Sequence, residues 1–256
     1  MNRAHCLILL LGVTAAAVAM APGVCLGDNV VFEETFDGPS LPSSLTYTTQ
    51  SSAFTWQIDN QQLRLDNDGS VPTTGWPSAW ARTQEGFADW LDHGGFLRFS
   101  VDTLAPNPGS GQVKPGLYFG DYHCLFHSGL SWGAFRLYRN GSQIVGNTDM
   151  GWGPAGGEMQ HIQADVIPNG SALDIDITIT GTGTDGLPHT FNYLYHDLNP
   201  AFGTGTTGVF YDGPENRDAS DSLYDNLTVQ HVPEPATFGA LGLGALALLR
   251  RRRTSR

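Results

Sequence analysis

Between residues 29 and 232 the chain is divided into short runs in which apolar and polar positions alternate. Long Leu/Ala/Glu/Lys stretches of the kind that make helices are few outside the two ends. The clearest run is Leu173-Asp174-Ile175-Asp176-Ile177-Thr178-Ile179-Thr180, which puts four aliphatic side chains on one face of a strand and Asp, Asp, Thr, Thr on the other. Phe54 to Ile58 and Gln62 to Asp66 alternate in the same way, and Asp59-Asn60 between them is turn chemistry, so the pair predicts a hairpin. An apolar strand opens at Val30 and stops at the turn Phe36-Asp37-Gly38. Further runs are Ala79 to Thr83, Gly95 to Asp102, Gly116 to Phe119, Ala134 to Tyr138 and His161 to Val166. Ala172 to Thr180, Thr190 to Tyr195, Gly208 to Tyr211 and Leu223 to Val229 complete the set. About a dozen short strands split by Gly, Pro and Asn predict an all-β domain, a two-sheet antiparallel jelly-roll sandwich.

The pattern changes at both ends. Arg3 and His5 precede an apolar run from Cys6 to about Met20, then Pro22-Gly23 and small residues up to Gly27, the layout of a secretory signal peptide over residues 1–27. Residues 28–231 are then the domain, and 232–256 a tail. The tail reads Val232-Pro233-Glu234-Pro235, an uncharged apolar stretch over 236–249, and Arg250-Arg251-Arg252-Arg253. The prolines bar a helix from continuing upstream, and the arginines stop transfer on the cytoplasmic side, so the domain is expected outside. The apolar stretch is 14 residues, about 21 Å of helix against a hydrocarbon core of roughly 30 Å, which suits a transient anchor in the cytoplasmic membrane.

Pro233-Glu234-Pro235, an apolar helix and an arginine cluster at the C-terminus resemble the PEP-CTERM sorting signal of Gram-negative bacteria. That resemblance implies recognition by exosortase, a membrane cysteine protease. It also implies delivery to the cell surface or to an extracellular polysaccharide and biofilm matrix. The same tail also goes by the name ice-binding protein C-terminal domain. The spaced Thr178, Thr180, Thr182 and Thr184 form one row, which does not make the flat array an ice face needs.

Charge narrows the partners. Residues 28–232 hold 24 Asp plus Glu against 7 Lys plus Arg, so phosphate backbones are repelled and nucleic acid is excluded as a partner. Cys124 is the one cysteine left once residues 1–27 are removed, which leaves no internal disulfide. Abundant Asp makes calcium the metal to consider.

Candidate chemistry is sparse. His123-Cys124-Leu125-Phe126-His127 has soft-ligand types, but in an extended segment Cys124 points away from both histidines, which argues against a tetrahedral zinc site. Asp66-Asn67-Asp68-Gly69 starts like a calcium loop yet lacks the later glutamate. Asp212, Glu215, Asp218, Asp221 and Asp225 cluster near the closing strand. Trp76, Trp80, Trp132 and Trp152 sit beside or near Gly or Pro in expected loops, where an indole face would stack on a sugar ring. Gly133, Gly151 and Gly153 give Trp132 and Trp152 the better claim.

The opening phrase ending Phe36-Asp37-Gly38, the Trp56 to Leu65 hairpin and the closing Tyr224-Asp225-Asn226-Leu227-Thr228-Val229 together resemble concanavalin A-like jelly rolls: laminin-G domains, legume lectins and family-16 glycoside hydrolases. The resemblance implies a carbohydrate-contacting face or rim. It also implies a structural calcium between the first and last strands, at Glu33 or Glu34 with Asp225. The hydrolase pattern Glu-x-Asp-x-x-Glu is absent, since the nearest run offers Asp174 and Asp176 at alternate positions and no glutamate. Two carboxylates on one side of a strand do not flank a glycosidic bond. No catalytic residue is assigned. A carbohydrate-binding module is the first reading, with a glycan-cleaving enzyme on the same scaffold and a purely structural matrix protein as alternatives.

Overall fold

The computed structural model describes residues 29–69, 76–104, 113–127, 133–213 and 221–233. The expected signal peptide, Trp132, Glu215, Asp218, Glu234, Pro235, the apolar stretch 236–249 and Arg250, Arg251, Arg252 and Arg253 lie outside the described residues. Among the described residues no helix is long and apolar enough to cross a membrane.

The chain opens with β1 (Asn29–Glu34), β2 (Leu45–Thr49), β3 (Phe54–Asp59), β4 (Gln62–Asn67) and β5 (Ser78–Thr83). A short 3-10 helix, Ala88–His93, leads into β6 (Phe96–Leu104), β7 (Lys114–Phe119), β8 (Tyr122–Phe126), β9 (Ala134–Arg139) and β10 (Ser142–Asp149). Then come β11 (Gln160–Asn169), β12 (Ala172–Thr182), β13 (Pro188–Asp197), β14 (Thr207–Asp212) and β15 (Ser222–Val232). One sheet runs β13-β12-β11-β6-β15-β4-β3, with β1 also paired to β15, and the other runs β10-β9-β8-β7-β14-β5-β2. Every pairing is antiparallel, and Asn29–Pro233 form one unit. The fold is the expected two-sheet sandwich.

The alternation seen in the sequence builds the first sheet directly. Leu173, Ile175, Ile177 and Ile179 of β12 are buried, while Asp174, Asp176, Thr178 and Thr180 face outward. The β3–β4 hairpin turns through Asn60 and Gln61, both with positive φ (51° and 63°). β15 departs from strict alternation at Asn226 (φ 50°), where the register with β6 shifts between Asp225 and Thr228. That bulge lets Tyr224 and Leu227, three positions apart, both reach the core with zero exposure.

The second sheet differs. The core receives Leu117 and Phe119 from β7, Cys124 and Phe126 from β8, and Val209 and Tyr211 from β14. The residues between them are also largely covered: His123, Leu125 and Phe210 point the other way and are still buried. β2, β8 and β10, which the sequence pattern did not predict as strands, all lie in this sheet.

Candidate functional site

Register determines what the outer face of the second sheet carries. One transverse row runs Thr46, Arg82, Gly208, Tyr118, His123, Tyr138 and Gln143 across β2, β5, β14, β7, β8, β9 and β10. The adjacent row runs Thr48, Trp80, Phe210, Gly116, Leu125 and Arg136. A groove of about 330 Å³ lies over the two rows, lined among others by Trp80, Arg82, Tyr118, His123, Tyr138 and Phe210.

Aromatic rings make its floor. The His123 ring stacks on Tyr138 at 4.6 Å with 7° between planes, on Phe210 at 4.1 Å and on Tyr118 at 5.1 Å. The Arg82 guanidinium lies 4.0 Å over the Tyr118 ring and donates to the Gly120 carbonyl and the Thr206 hydroxyl. His123 and Phe210 are the buried layer, whereas Trp80, Tyr118 and Tyr138 are half-buried and keep part of each ring in solvent. Burial, with a smaller push from the Arg82 charge, brings the His123 pKa down to about 3, so the imidazole is neutral at ordinary pH. A neutral ring can sit within a stack of rings without stranding a buried charge.

One end of the groove is ionic. Lys114 Nζ pairs with Asp212 at 2.8 Å and lies 3.9 Å over the Trp76 ring. Burial lowers the Lys114 pKa against the pull of Asp212. His127 falls to about 4, through burial first and then the charges of Lys114 and Arg136.

The tryptophans divide by position. Trp80, expected in a loop, instead sits on β5 and lines the groove, and Trp76 is 44% exposed at its ionic end. Trp152, expected in an open loop, is instead 7% exposed and packs in the core, stacked on His189 at 5.2 Å. The glycines near it serve the backbone: Gly151 has a φ of 76°, and a Cβ on Gly133 would meet the Trp152 carbonyl oxygen at 2.4 Å. Cys124 faces the core, away from His123, and burial pushes its thiol up to about 12.

The expected calcium ligands are not gathered. Glu34 accepts from the Phe36 amide and the Ser44 hydroxyl, so it braces the turn after β1. Glu33 is exposed, and Asp225 accepts from the Asn226 amide. Burial and the charges of Asp102 and Asp37 raise the Asp225 pKa. Near Asp66 the cation is Arg64, held by Asp59, Asp66 and Asp221 at 2.8, 3.0 and 2.6 Å. Among the described residues no group of three or more His, Cys, Asp or Glu is placed to hold a metal ion. On β12, Asp174 accepts from His196 and Asn169, which hold it below the usual carboxylate range, and burial with neighbouring Asp165 raises Asp176.

Sequence reading missed Tyr118, His123, Tyr138 and Phe210 as a group, because they come from four strands and only the register unites them. The usable signal was local: Phe119 and Tyr122 flank the two-residue turn Gly120-Asp121, which makes Tyr118 and His123 the next cross-strand pair.

Residues 231–253 match the PEP-CTERM protein-sorting motif, so the chain carries that motif at its C-terminus. No curated protein matches the chain by sequence. Among solved structures, the CBM2 module of the evolved Dit of Lactobacillus casei BL23 phage J-1 superposes with a TM-score of 0.51 at 9% identity, covering 81% of this chain and 97% of that one. The lectin UEA-II complexed with galactose gives 0.49 at 11% identity, covering 80% and 99%. The carbohydrate recognition domain of Emp47p gives 0.48 at 8%, covering 80% and 98%. The structural neighbours are lectins and concanavalin A-like jelly rolls.

Proposed function

We propose that the protein is exported, sorted through its PEP-CTERM tail by an exosortase-type protease, and binds polysaccharide in the groove on the second sheet. The observation that carries the binding reading is the set of half-exposed rings of Trp80, Tyr118 and Tyr138, backed by the His123–Phe210 stack. Sugars present C–H faces to aromatic rings and hydroxyls to polar rims, and Gln50, Ser78 and Arg82 supply such a rim. Clustered, part-exposed apolar surface of this kind is a mark of ligand-binding grooves.

Binding fits the lining better than cleavage. Among the described residues the groove is lined by one carboxylate, Asp212, and it is held by Lys114, while glycoside hydrolysis takes a carboxylate pair. The tail supports a membrane-held intermediate and a final place at the surface or in the matrix of a Gram-negative cell.

A glycan array probed with the full chain tests the reading. Trp80→Ala and Tyr138→Ala should each weaken binding about tenfold or more at unchanged melting temperature. Binding that survives both substitutions would move the site elsewhere. No binding to any glycan would favour the purely structural reading.

A further inference from the structure

The distribution of cations singles out this groove again. Among the described residues of an acidic domain there are six Lys and Arg side chains. Four are neutralised: Arg64 by Asp59, Asp66 and Asp221, Arg98 by Asp165, Lys114 by Asp212, and Arg139 by Asp197. Arg82 and Arg136 have no carboxylate in ion-pair reach among the described residues, and both stand on the outer face of the second sheet. Arg82 lines the groove, and Arg136 pairs in register with Leu125, which also lines it.

Both guanidiniums are positioned rather than loose. Arg82 is held over Tyr118 and uses Nη2 for the Gly120 carbonyl and the Thr206 hydroxyl, which leaves its Nε and Nη1 donors without a hydrogen-bond partner among the described residues. Arg136 is held through Nε by the Asn147 side-chain oxygen. Neutral anchors keep each cation in place without cancelling its charge. Carboxylates do occur on the same sheet, Asp121 in the β7–β8 turn and Asp149 at the end of β10, where Asp149 accepts from the Gly151 amide. Neither comes within 4 Å of Arg82 or Arg136.

Resting on the proposed glycan-binding role of this groove, we infer that its ligand is an acidic polysaccharide whose carboxylates are met by Arg82 and Arg136. An Arg without an internal counter-ion, beside rings that take the sugar faces, is a ready donor of charge-assisted hydrogen bonds. The acidity of the rest of the domain does not prevent this. At about 0.15 M salt the screening length is about 8 Å, so exposed acids beyond that distance act weakly in the groove, whereas Arg82 lines it and Arg136 stands beside it, in register with the lining residue Leu125.

The test compares one sugar backbone with and without charge. Binding of the full chain to polygalacturonate and to its fully methyl-esterified form is measured at about 0.15 M salt, and alginate is set against its carboxyl-reduced form. Melting temperature is the folding control. The expected result is at least tenfold tighter binding of the acidic member of a pair, with that preference reduced about tenfold in Arg82→Gln and in Arg136→Gln. Arg82→Lys, which keeps the charge, should retain part of it. Equal or tighter binding of the neutral members would overturn the inference while leaving the glycan-binding reading intact. An acidic preference that persists in both Gln variants would remove it from this groove. Failure of all four polymers to bind overturns the inference, and the array then decides the broader reading separately.

Discussion

His123 on β8 and Phe210 on β14 stack with ring centroids 4.1 Å apart, although β7 runs between their strands. The gap is bridged because the β7 residue in register with Phe210 is Gly116. A Cβ built on Gly116 would meet the Cys124 carbonyl oxygen at 2.3 Å and the Leu125 Cβ at 3.1 Å. Gly116→Ala is therefore expected to cost about 1–3 kcal/mol of stability through overpacking. The same change should weaken glycan binding, because the floor of the groove would be pushed apart. Thermal melting and affinity together check it, and an unchanged melting temperature would show that the stack tolerates a spacer.

Acid should weaken the fold through the same ring cluster. His123 and His127 have folded pKa values of about 3 and about 4, below the value of 6.5 expected when unfolded. Between these limits the unfolded chain binds more protons, so stability is fully present above about pH 6.5 and is lost as pH falls toward 4. Each histidine contributes at most about 1.4 kcal/mol per pH unit across its window. Urea midpoints at a series of pH values should fall on acidification, and His123→Phe should flatten the dependence. A slope identical in that variant would assign the acid sensitivity to other groups.

The ionic end of the groove predicts an asymmetric pair of mutants. Asp212→Asn leaves the Lys114 ammonium, whose side chain is 6% exposed, without its counter-ion. Such a loss costs about 3–5 kcal/mol. Combining it with Lys114→Met should restore much of the stability, since an apolar side chain tolerates the same burial. Chemical denaturation of the single and double variants measures the coupling.

Trp152 should behave as a core residue. Trp152→Ala is expected to lower stability by about 3–5 kcal/mol. Any effect on glycan affinity should vanish once the fraction folded is taken into account. Calorimetric melting with binding measured well below the transition separates the two.

How much of this was legible depended on the face. β12 could be read from its sequence because one side meets core and the other meets water, so Leu173 to Thr180 alternate. β8 could not, because Tyr122, His123, Cys124, Leu125 and Phe126 are all buried, and a strand covered on both faces has no period of two. Even so, opposite directions for His123 and Cys124 followed from extended geometry alone. Trp152 was misplaced because nearby glycines were read as lack of cover, when Gly151 supplies a positive φ and Gly133 the close backbone approach beside a buried indole. The groove stayed invisible because its rings come from β5, β7, β8, β9 and β14, and pairing order across a sheet is not local information.

The place where the domain ends has a mechanical consequence. β15 runs to Val232, immediately before the sorting motif's Pro233, and it lies inside its sheet rather than at an edge. β6 holds it from Leu223 to Val232, and β1 holds the opposite side from Leu227 to His231. A pull arriving through the residues after Val232 acts along the strand, so the rungs of two ladders bear it together in shear instead of opening one after another. A strand fixed in this way grips its tether, and a pull from that end has to break both ladders at once.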